Sequence, residues 1–190
     1  LDKEAKGSPT APTNNQVSLW MLMLGHYVAD AHVPFHCDAR PSSDEADVHG
    51  LAEKRWEDAI KEFCAIDTVH RRFFYDRNGF PLRQAGRQSA YAGTWMQQVE
   101  QELAGRAFRI GYGTGRDRTW DFVRAICQHS YLLSYEFIPR AAGPVTLDNW
   151  RGLGTVSFDR LTVAVMADAV DSLARIWFRA WRRFTRWKND

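Results

Sequence analysis

Apolar residues near the N-terminus predict a buried helix. Between Gln16 and about Ala31 they recur too densely for one stripe, which is typical of a helix that is buried nearly all round and lies centrally in the fold. The apolar positions are Val17, Leu19, Trp20, Leu22, Met23, Leu24, Tyr27 and Val28. Pro34 and the polar, acidic stretch 38–47 are expected to end this helix in a loop.

A second helix is predicted from about Val48 to Ala65. Its apolar residues fall at helical spacing and define one apolar face. They are Leu51, Trp56, Ile60, Phe63 and Cys64.

The remainder of the chain also has helical patterns. We predict a short helix over 67–75, closed by Asn78, Gly79 and Pro81, and longer helices over 83–110, 117–138 and from Ser157 almost to the C-terminus. The glycine-rich run 111–115 follows a helix rather than a strand, so it is interpreted as a turn and not as a nucleotide-binding loop. The segment 141–155 is predicted to be irregular. Since no period-2 segment or internal repeat is evident, the predicted fold class is all-α and multi-helical.

The composition agrees with one globular domain. The chain has 190 residues, of which 45% are hydrophobic and 25% charged, enough to build a core and too apolar for a disordered chain. We expect residues 1–15 to form a flexible tether that ends in a helix N-cap, and residues 16–190 to form the helical domain. No run approaches the roughly 18 apolar residues that span a bilayer. The start of the chain carries no export-signal pattern, and three cysteines permit at most one disulfide, so the compartment stays open.

Charge is distributed unevenly along the chain. Residues 1–66 carry a net charge of −5 and residues 67–190 one of +7. Of the 25 basic residues, 20 are arginine, the side chain whose planar fork suits phosphate and carboxylate groups. The acidic segment also contains the residues most typical of a chemical site.

These residues form a metal-ligand pattern. His26 and Asp30 are four apart, so on a helix they share a face, and His49 and Glu53 repeat that spacing on the next helix. His36 follows the Pro34 break, where the chain can turn back toward both pairs. The full pattern is H-x3-D-x5-H-x12-H-x3-E, and imidazole with carboxylate is the donor set of open, catalytic zinc sites.

The alternative is that each pair forms only a side-chain hydrogen bond, which is the usual role of a single His-x3-Asp pair on a helix. Two pairs and a fifth residue favour metal binding, because four of the six histidines lie between positions 26 and 49. Two of them lie on an otherwise apolar helix, where unpaired polar groups cost free energy.

This segment resembles the metal-site signature of the zinc-dependent phospholipase C and single-strand nuclease superfamily. The resemblance covers about 30 residues, from His26 to Glu53. It implies an all-helical, three-zinc phosphodiesterase in which Asp30 bridges two zincs and holds the metals of the nucleophile. It further implies that His26 ligates one of those zincs, and that His36, His49 and Glu53 hold another.

The resemblance does not decide between a phospholipid and a nucleic acid as the substrate. Glutamate at position 53 is similar to the phospholipase branch, whereas His32 is similar to the nuclease branch. We expect hydrolysis of a phosphodiester by a metal-activated water, with phospholipid favoured over nucleic acid as the substrate. A secreted or periplasmic location is implied by the family. The alternatives are a nuclease-type phosphodiesterase, or a non-catalytic zinc-containing helical module that binds a membrane or protein partner.

The chain departs from the family upstream of the signature. Family members take further ligands from an N-terminal tryptophan, from a histidine near it, and from a later aspartate and histidine. Only 25 residues precede His26, and they contain no histidine and one aspartate, Asp2. We therefore expect either a fragment that needs a further N-terminal segment or a degenerate member, with the bridged zincs short of ligands and the site of His36, His49 and Glu53 intact.

Two neighbours of the signature are not counted among the ligands. Cys37 is expected to pack beside His36, although a thiolate ligand is the alternative. His32 is expected to support the ligands or to be a hydrogen-bonded core histidine.

The last predicted helix is amphipathic. Trp177, Trp181 and Phe184 lie on one side, and the opposite side carries Arg175, Arg179, Arg182, Arg183 and Arg186. We favour a core-packing helix with a solvated arginine face. The alternative is peripheral contact of this helix with an anionic membrane or a nucleic-acid backbone.

Overall fold

The computed structural model describes residues 12–38, 48–78, 82, 95–107, 119–137 and 157–189. Helices dominate these ranges, and the only strands among them form a two-stranded antiparallel hairpin. The predicted all-α class is therefore confirmed. The elements are α1 (Asn14–His32), a 3-10 helix (Pro34–Cys37), α2 (Val48–Phe63), β1 (Ile66–Asp67), β2 (Arg72–Phe73), α3 (Trp95–Ala104), α4 (Thr119–Phe137) and α5 (Phe158–Asn189).

The ends of the helices follow from local capping chemistry. Thr13 caps α1, because its hydroxyl accepts from the Gln16 amide while the Gln16 side chain accepts from the Thr13 amide. The helix thus includes positions 14 and 15, which the sequence pattern assigned to the tether. Ser157 precedes α5, and its hydroxyl accepts from the Arg160 amide at 3.3 Å.

Two predicted helices are corrected. The segment 67–75 is not a helix, because Ile66 pairs with Phe73 and Asp67 with Arg72 in the hairpin. The Asp67 side chain accepts from the Val69 and His70 amides at 3.1 Å each, which stabilises a turn in place of a helix. The helix predicted over 83–110 is present as Trp95–Ala104 and ends earlier than predicted, because residues 105–107 are not helical. The predictions for 1–11, 39–47, 79–81, 83–94, 108–115 and 141–155 concern residues outside those that the structure describes.

Burial of α1 was also predicted wrongly. Its buried residues are Val17, Gly25, Val28, Ala31 and His32, which lie on one side of the helix. The other side is apolar but exposed, with Leu22 at 66% and Tyr27 at 63% of their full accessible surface. Leu19, Trp20 and Met23 are exposed as well. The densely spaced apolar residues of α1 therefore form two faces, one packed against the rest of the unit and one exposed.

Backbone contacts divide the chain into two compact units. The first comprises Leu1–Asp38, Leu103–Ser134 and Ala164–Asp190, and the second Ala39–Glu102 and Tyr135–Val163. In the first unit, the Ser130 hydroxyl donates to the Ala31 carbonyl at 2.6 Å and the Trp177 indole donates to the Met21 carbonyl at 2.8 Å. These bonds fix α1 beside α4 and α5.

The second unit is organised around Trp56 on α2. Its indole Nε1 donates to Thr162 Oγ1 at 3.0 Å, and its ring stacks on Phe158 with centroids 6.1 Å apart. Trp56, Phe158 and Thr162 are all buried. The apolar face predicted for the second helix is thus packed at Trp56, whereas Ile60 is exposed.

Within the described residues, none of the helices combines the length and the apolarity that crossing a bilayer requires. On α5, Phe184 is buried but Trp177 and Trp181 are exposed. The aromatic side of this helix is therefore packed only in part.

Candidate metal centre

Asp30 lies between two histidines of the first unit. Because α1 continues through both positions, His26 and Asp30 share a face, and His26 Nε2 lies 3.3 Å from Asp30 Oδ2. The second carboxylate oxygen, Oδ1, lies 3.6 Å from His36 Nδ1. Each oxygen of Asp30 thus faces a different imidazole.

A turn at the end of α1 brings His36 back toward Asp30. The Val33 amide donates to the Asp30 carbonyl at 3.0 Å, and the His36 amide donates to the Val33 carbonyl at 3.0 Å. Pro34 occupies the first position of the 3-10 helix, where its missing N–H costs no hydrogen bond. The chain therefore turns back past Pro34 and brings His36 to the pair of His26 and Asp30, as predicted.

The second unit holds the other predicted pair. His49 and Glu53 lie one turn apart on α2, and His49 Nε2 donates to Glu53 Oε1 at 2.8 Å. Both side chains are partly exposed, His49 at 37% and Glu53 at 54%. The structure therefore brings together His26, Asp30 and His36 in one unit, and His49 and Glu53 in the other.

The donor sets suit zinc chemically. All five residues offer an imidazole nitrogen or a carboxylate oxygen, and these are accessible to solvent. Two ligand atoms on one tetrahedral zinc stand roughly 3.3 Å apart, given bonds of about 2.0 to 2.1 Å. The separations of 3.3 and 3.6 Å around Asp30 are compatible with this spacing but equally with His–carboxylate contacts that hold no metal, and the 2.8 Å between His49 and Glu53 is that of a direct hydrogen bond.

His32 is a hydrogen-bonded core histidine. Its Nδ1 donates to the Val28 carbonyl at 2.8 Å, which leaves Nε2 to accept from the Ser172 hydroxyl at 3.1 Å. Burial lowers its pKa from the ordinary value of 6.5, against the opposing effects of the Val28 carbonyl and Asp168. Both ring nitrogens are thus used within the protein, as expected for a histidine that is not a ligand.

Cys37 is held as a thiol. Its Sγ donates to the Ala31 carbonyl at 3.6 Å. Burial, together with the neighbouring Cys127, raises the pKa of Cys37 to about 11. Since zinc binds the thiolate, a protonated Cys37 fits the role of packed neighbour predicted for it.

An apolar groove adjoins His26 in the first unit. It has a volume of about 580 Å³ and is lined by α1 and α5, including Leu22, Met23, Tyr27 and Trp177. Gly25 forms part of its floor, where an added Cβ would approach the Trp177 ring to 3.1 Å. The glycine therefore allows the two helices to approach closely beside His26.

The second unit contains a larger cavity beside Glu53, with a volume of about 970 Å³. Trp56, Phe73 and Tyr75 give it apolar walls, and the hairpin contributes Arg71 and Arg72. The sequence pattern missed this cavity because residues 67–75 were assigned to a helix. The spacing of Asp67 and His70, which favours a side-chain-capped turn, is the signal from which a turn could have been inferred.

Comparisons with known proteins found no match: no family model, no curated protein and no solved structure is similar to this chain at a significant level. The functional interpretation therefore depends on the residues themselves.

Proposed function

We propose that this protein is a zinc-dependent phosphoric-ester hydrolase of the phospholipase C type. The ligands would be His26, Asp30, His36, His49 and Glu53. The observation that carries the proposal is the position of Asp30, whose two oxygens face two different histidines at 3.3 and 3.6 Å. This carboxylate could therefore contribute to a metal bound by His26 while lying beside His36, the candidate ligand of a further zinc.

Each proposed ligand residue has a distinct role in metal binding. Asp30 would hold the metals of the nucleophile, with His26 on one side, while His36, His49 and Glu53 would hold a further zinc. Bound zinc supplies Lewis-acid activation of a water and neutralises charge on the phosphate. The exposure of His26, Asp30 and Glu53 leaves room for a substrate to approach.

The surroundings of His26 favour a phospholipid over a nucleic acid. Leu22, Met23 and Tyr27 are exposed beside it, and the groove that it lines is otherwise apolar. Acyl chains gain free energy by covering such a surface, whereas a sugar-phosphate backbone gains little.

Zinc-dependent hydrolysis of bis(p-nitrophenyl) phosphate tests the proposal. We expect slow hydrolysis by the wild-type chain, which a chelator stops and added zinc restores. Asp30→Asn should lower the rate by at least about a hundredfold, because neutral Asn cannot bridge two cations. Asp121→Asn, which removes an exposed carboxylate on α4, is the matched control and should leave the rate unchanged.

The outcomes separate the candidate functions. Faster release of product from phosphatidylcholine vesicles than from single-stranded DNA supports the phospholipase assignment, and the reverse order supports a nuclease. Bound zinc without hydrolysis of any of these substrates would reject an enzyme and leave the helical zinc module. Hydrolysis that is insensitive to chelation would overturn the metal mechanism.

A further inference from the structure

The cavity beside Glu53 contains an arginine in a strained conformation. Arg71 has a φ of 51° and is, among the described residues, the only one other than glycine with a positive φ. Side chains with a Cβ rarely adopt this left-handed region, because the Cβ approaches the backbone too closely. Arg71 is the last residue of the loop before β2, and this conformation fixes the direction in which its backbone enters the strand.

The turn that holds Arg71 is fixed by Asp67. The carboxylate of Asp67 accepts from the His70 side chain at 2.7 Å and from Arg72 Nε at 3.4 Å, in addition to the two backbone amides of the turn. Hydrogen bonds from the His70 backbone and side chain, with smaller effects of Arg72 and Val69, lower the pKa of Asp67, which shows that the folded turn favours the ionised carboxylate. The Arg71 backbone is thus held between two anchored neighbours.

Most charges around the cavity are already paired. Glu57 pairs with Lys61, Glu53 with His49, and Arg72 with Asp67. Arg71 has no acidic partner within the part of the chain that the structure describes. Its guanidinium is therefore the charge that remains available to a ligand in this cavity.

The apolar walls of the cavity indicate that the ligand carries an apolar group beside its anion. Trp56, Phe73 and Tyr75 line the same cavity as Arg71, and a volume of about 970 Å³ accommodates a group larger than a bare anion. A guanidinium forms paired hydrogen bonds to phosphate oxygens, while aromatic walls cover an apolar substituent.

We propose that this cavity binds an organic phosphate, with Arg71 on the phosphate and the aromatic wall of Trp56, Phe73 and Tyr75 on its apolar group. Because Glu53 lines the same cavity, the site would hold the phosphate side of the substrate next to a candidate metal ligand. That role in hydrolysis depends on the proposed function, whereas the binding itself needs no metal.

Calorimetric titration of the full chain with phenyl phosphate, in the presence of a chelator, tests the proposal. We expect Arg71→Gly to weaken binding at least about tenfold, since a charge-assisted pair of hydrogen bonds is lost. Glycine adopts a positive φ without strain, so this variant should fold. Arg71→Asn, which also tolerates that region, provides a second variant and should weaken binding equally.

Arg77→Gly is the matched control, because it removes an exposed arginine from the same segment without altering the cavity lining. Its affinity should equal that of the wild type. Equal weakening by Arg71→Gly and Arg77→Gly, or no binding of phenyl phosphate by the wild type, would overturn the proposal. Equal affinity for inorganic phosphate and phenyl phosphate would overturn the role of the aromatic wall.

Zinc content, measured on the same variants without chelator, separates this proposal from the proposed function. If the chain takes up no zinc but binds phenyl phosphate in a way that requires Arg71, the phosphate site is supported and the hydrolase is rejected. Zinc-dependent hydrolysis with the same KM in wild type and Arg71→Gly supports the hydrolase and rejects the phosphate site.

Discussion

Trp56 and Thr162 are joined by a buried hydrogen bond of 3.0 Å from the indole nitrogen to the hydroxyl oxygen. Thr162 is 1% exposed, so its hydroxyl has little access to water. The bond fixes the middle of α2, one turn beyond Glu53. The stability of the second unit and the position of a candidate ligand therefore depend on the same tryptophan.

Replacing Trp56 by Phe should destabilise the protein by about 2 kcal/mol, because the Thr162 hydroxyl loses this partner and the smaller ring fills the core less well. Urea unfolding measures the change. Trp120→Phe is the control, since Trp120 is 73% exposed, and it should change the free energy of unfolding by less than about 0.5 kcal/mol. Equal effects of the two substitutions would show that Trp56 does not organise the core.

Stability should depend on pH through His32. Burial lowers the pKa of the folded-state imidazole below 6.5, so below pH 6.5 the unfolded chain binds the proton more readily. The stabilising contribution is thus complete above pH 6.5 and is lost as the pH falls toward the folded-state pKa. The neighbouring His129 adds to the lowering, while Asp168 opposes it.

Urea unfolding between pH 7.5 and 5.5, in the presence of a chelator, measures this dependence. We expect the wild-type free energy of unfolding to fall with pH more steeply than that of His32→Gln, which cannot take up the proton. The exposed His129→Gln variant should keep most of the wild-type slope. Identical slopes for wild type and His32→Gln would contradict the assignment.

The Asp67 turn should be sensitive to both mutation and acid. In Asp67→Ala, the Val69 and His70 amides lose their acceptor and should exchange with solvent roughly tenfold faster. Hydrogen exchange by NMR gives the rates. Asp76→Ala is the control, because Asp76 accepts from the Asn78 amide in a different turn, and it should leave Val69 and His70 unchanged.

Acid should weaken the same turn in the wild type. Hydrogen bonds from the His70 backbone and side chain lower the pKa of Asp67 below 3.8. Its stabilising contribution is therefore present above pH 3.8 and is lost as the pH falls through the folded-state value. Protection of the two amides that persists unchanged in strong acid would indicate that the carboxylate does not hold the turn.

The helices and the two ligand pairs could be predicted because both depend on local spacing. A residue four positions along a helix lies on the same face wherever that helix packs, so His26 with Asp30 and His49 with Glu53 needed no tertiary information. The approach of His36 to Asp30 required only the break at Pro34.

The errors arose where tertiary contacts decide the outcome. Spacing on α1 cannot distinguish Val28, which packs, from Leu22, which is exposed, because both are apolar. The hairpin was missed because its strands have two residues each, too few for a period-2 pattern. The cavity beside Glu53 was missed for the same reason, because the hairpin supplies Arg71, Arg72 and Phe73 to its lining.

The zinc content of the purified full chain tests the central claim most directly. After dialysis against metal-free buffer, elemental analysis should find about one tightly bound zinc per chain, because the zincs expected at Asp30 are short of ligands, and His36→Ala and His49→Ala should each lose it. His70→Ala should retain it, because His70 pairs with Asp67 in the hairpin and belongs to neither ligand pair. A wild-type chain without zinc, or equal zinc content in all three variants, would contradict the account.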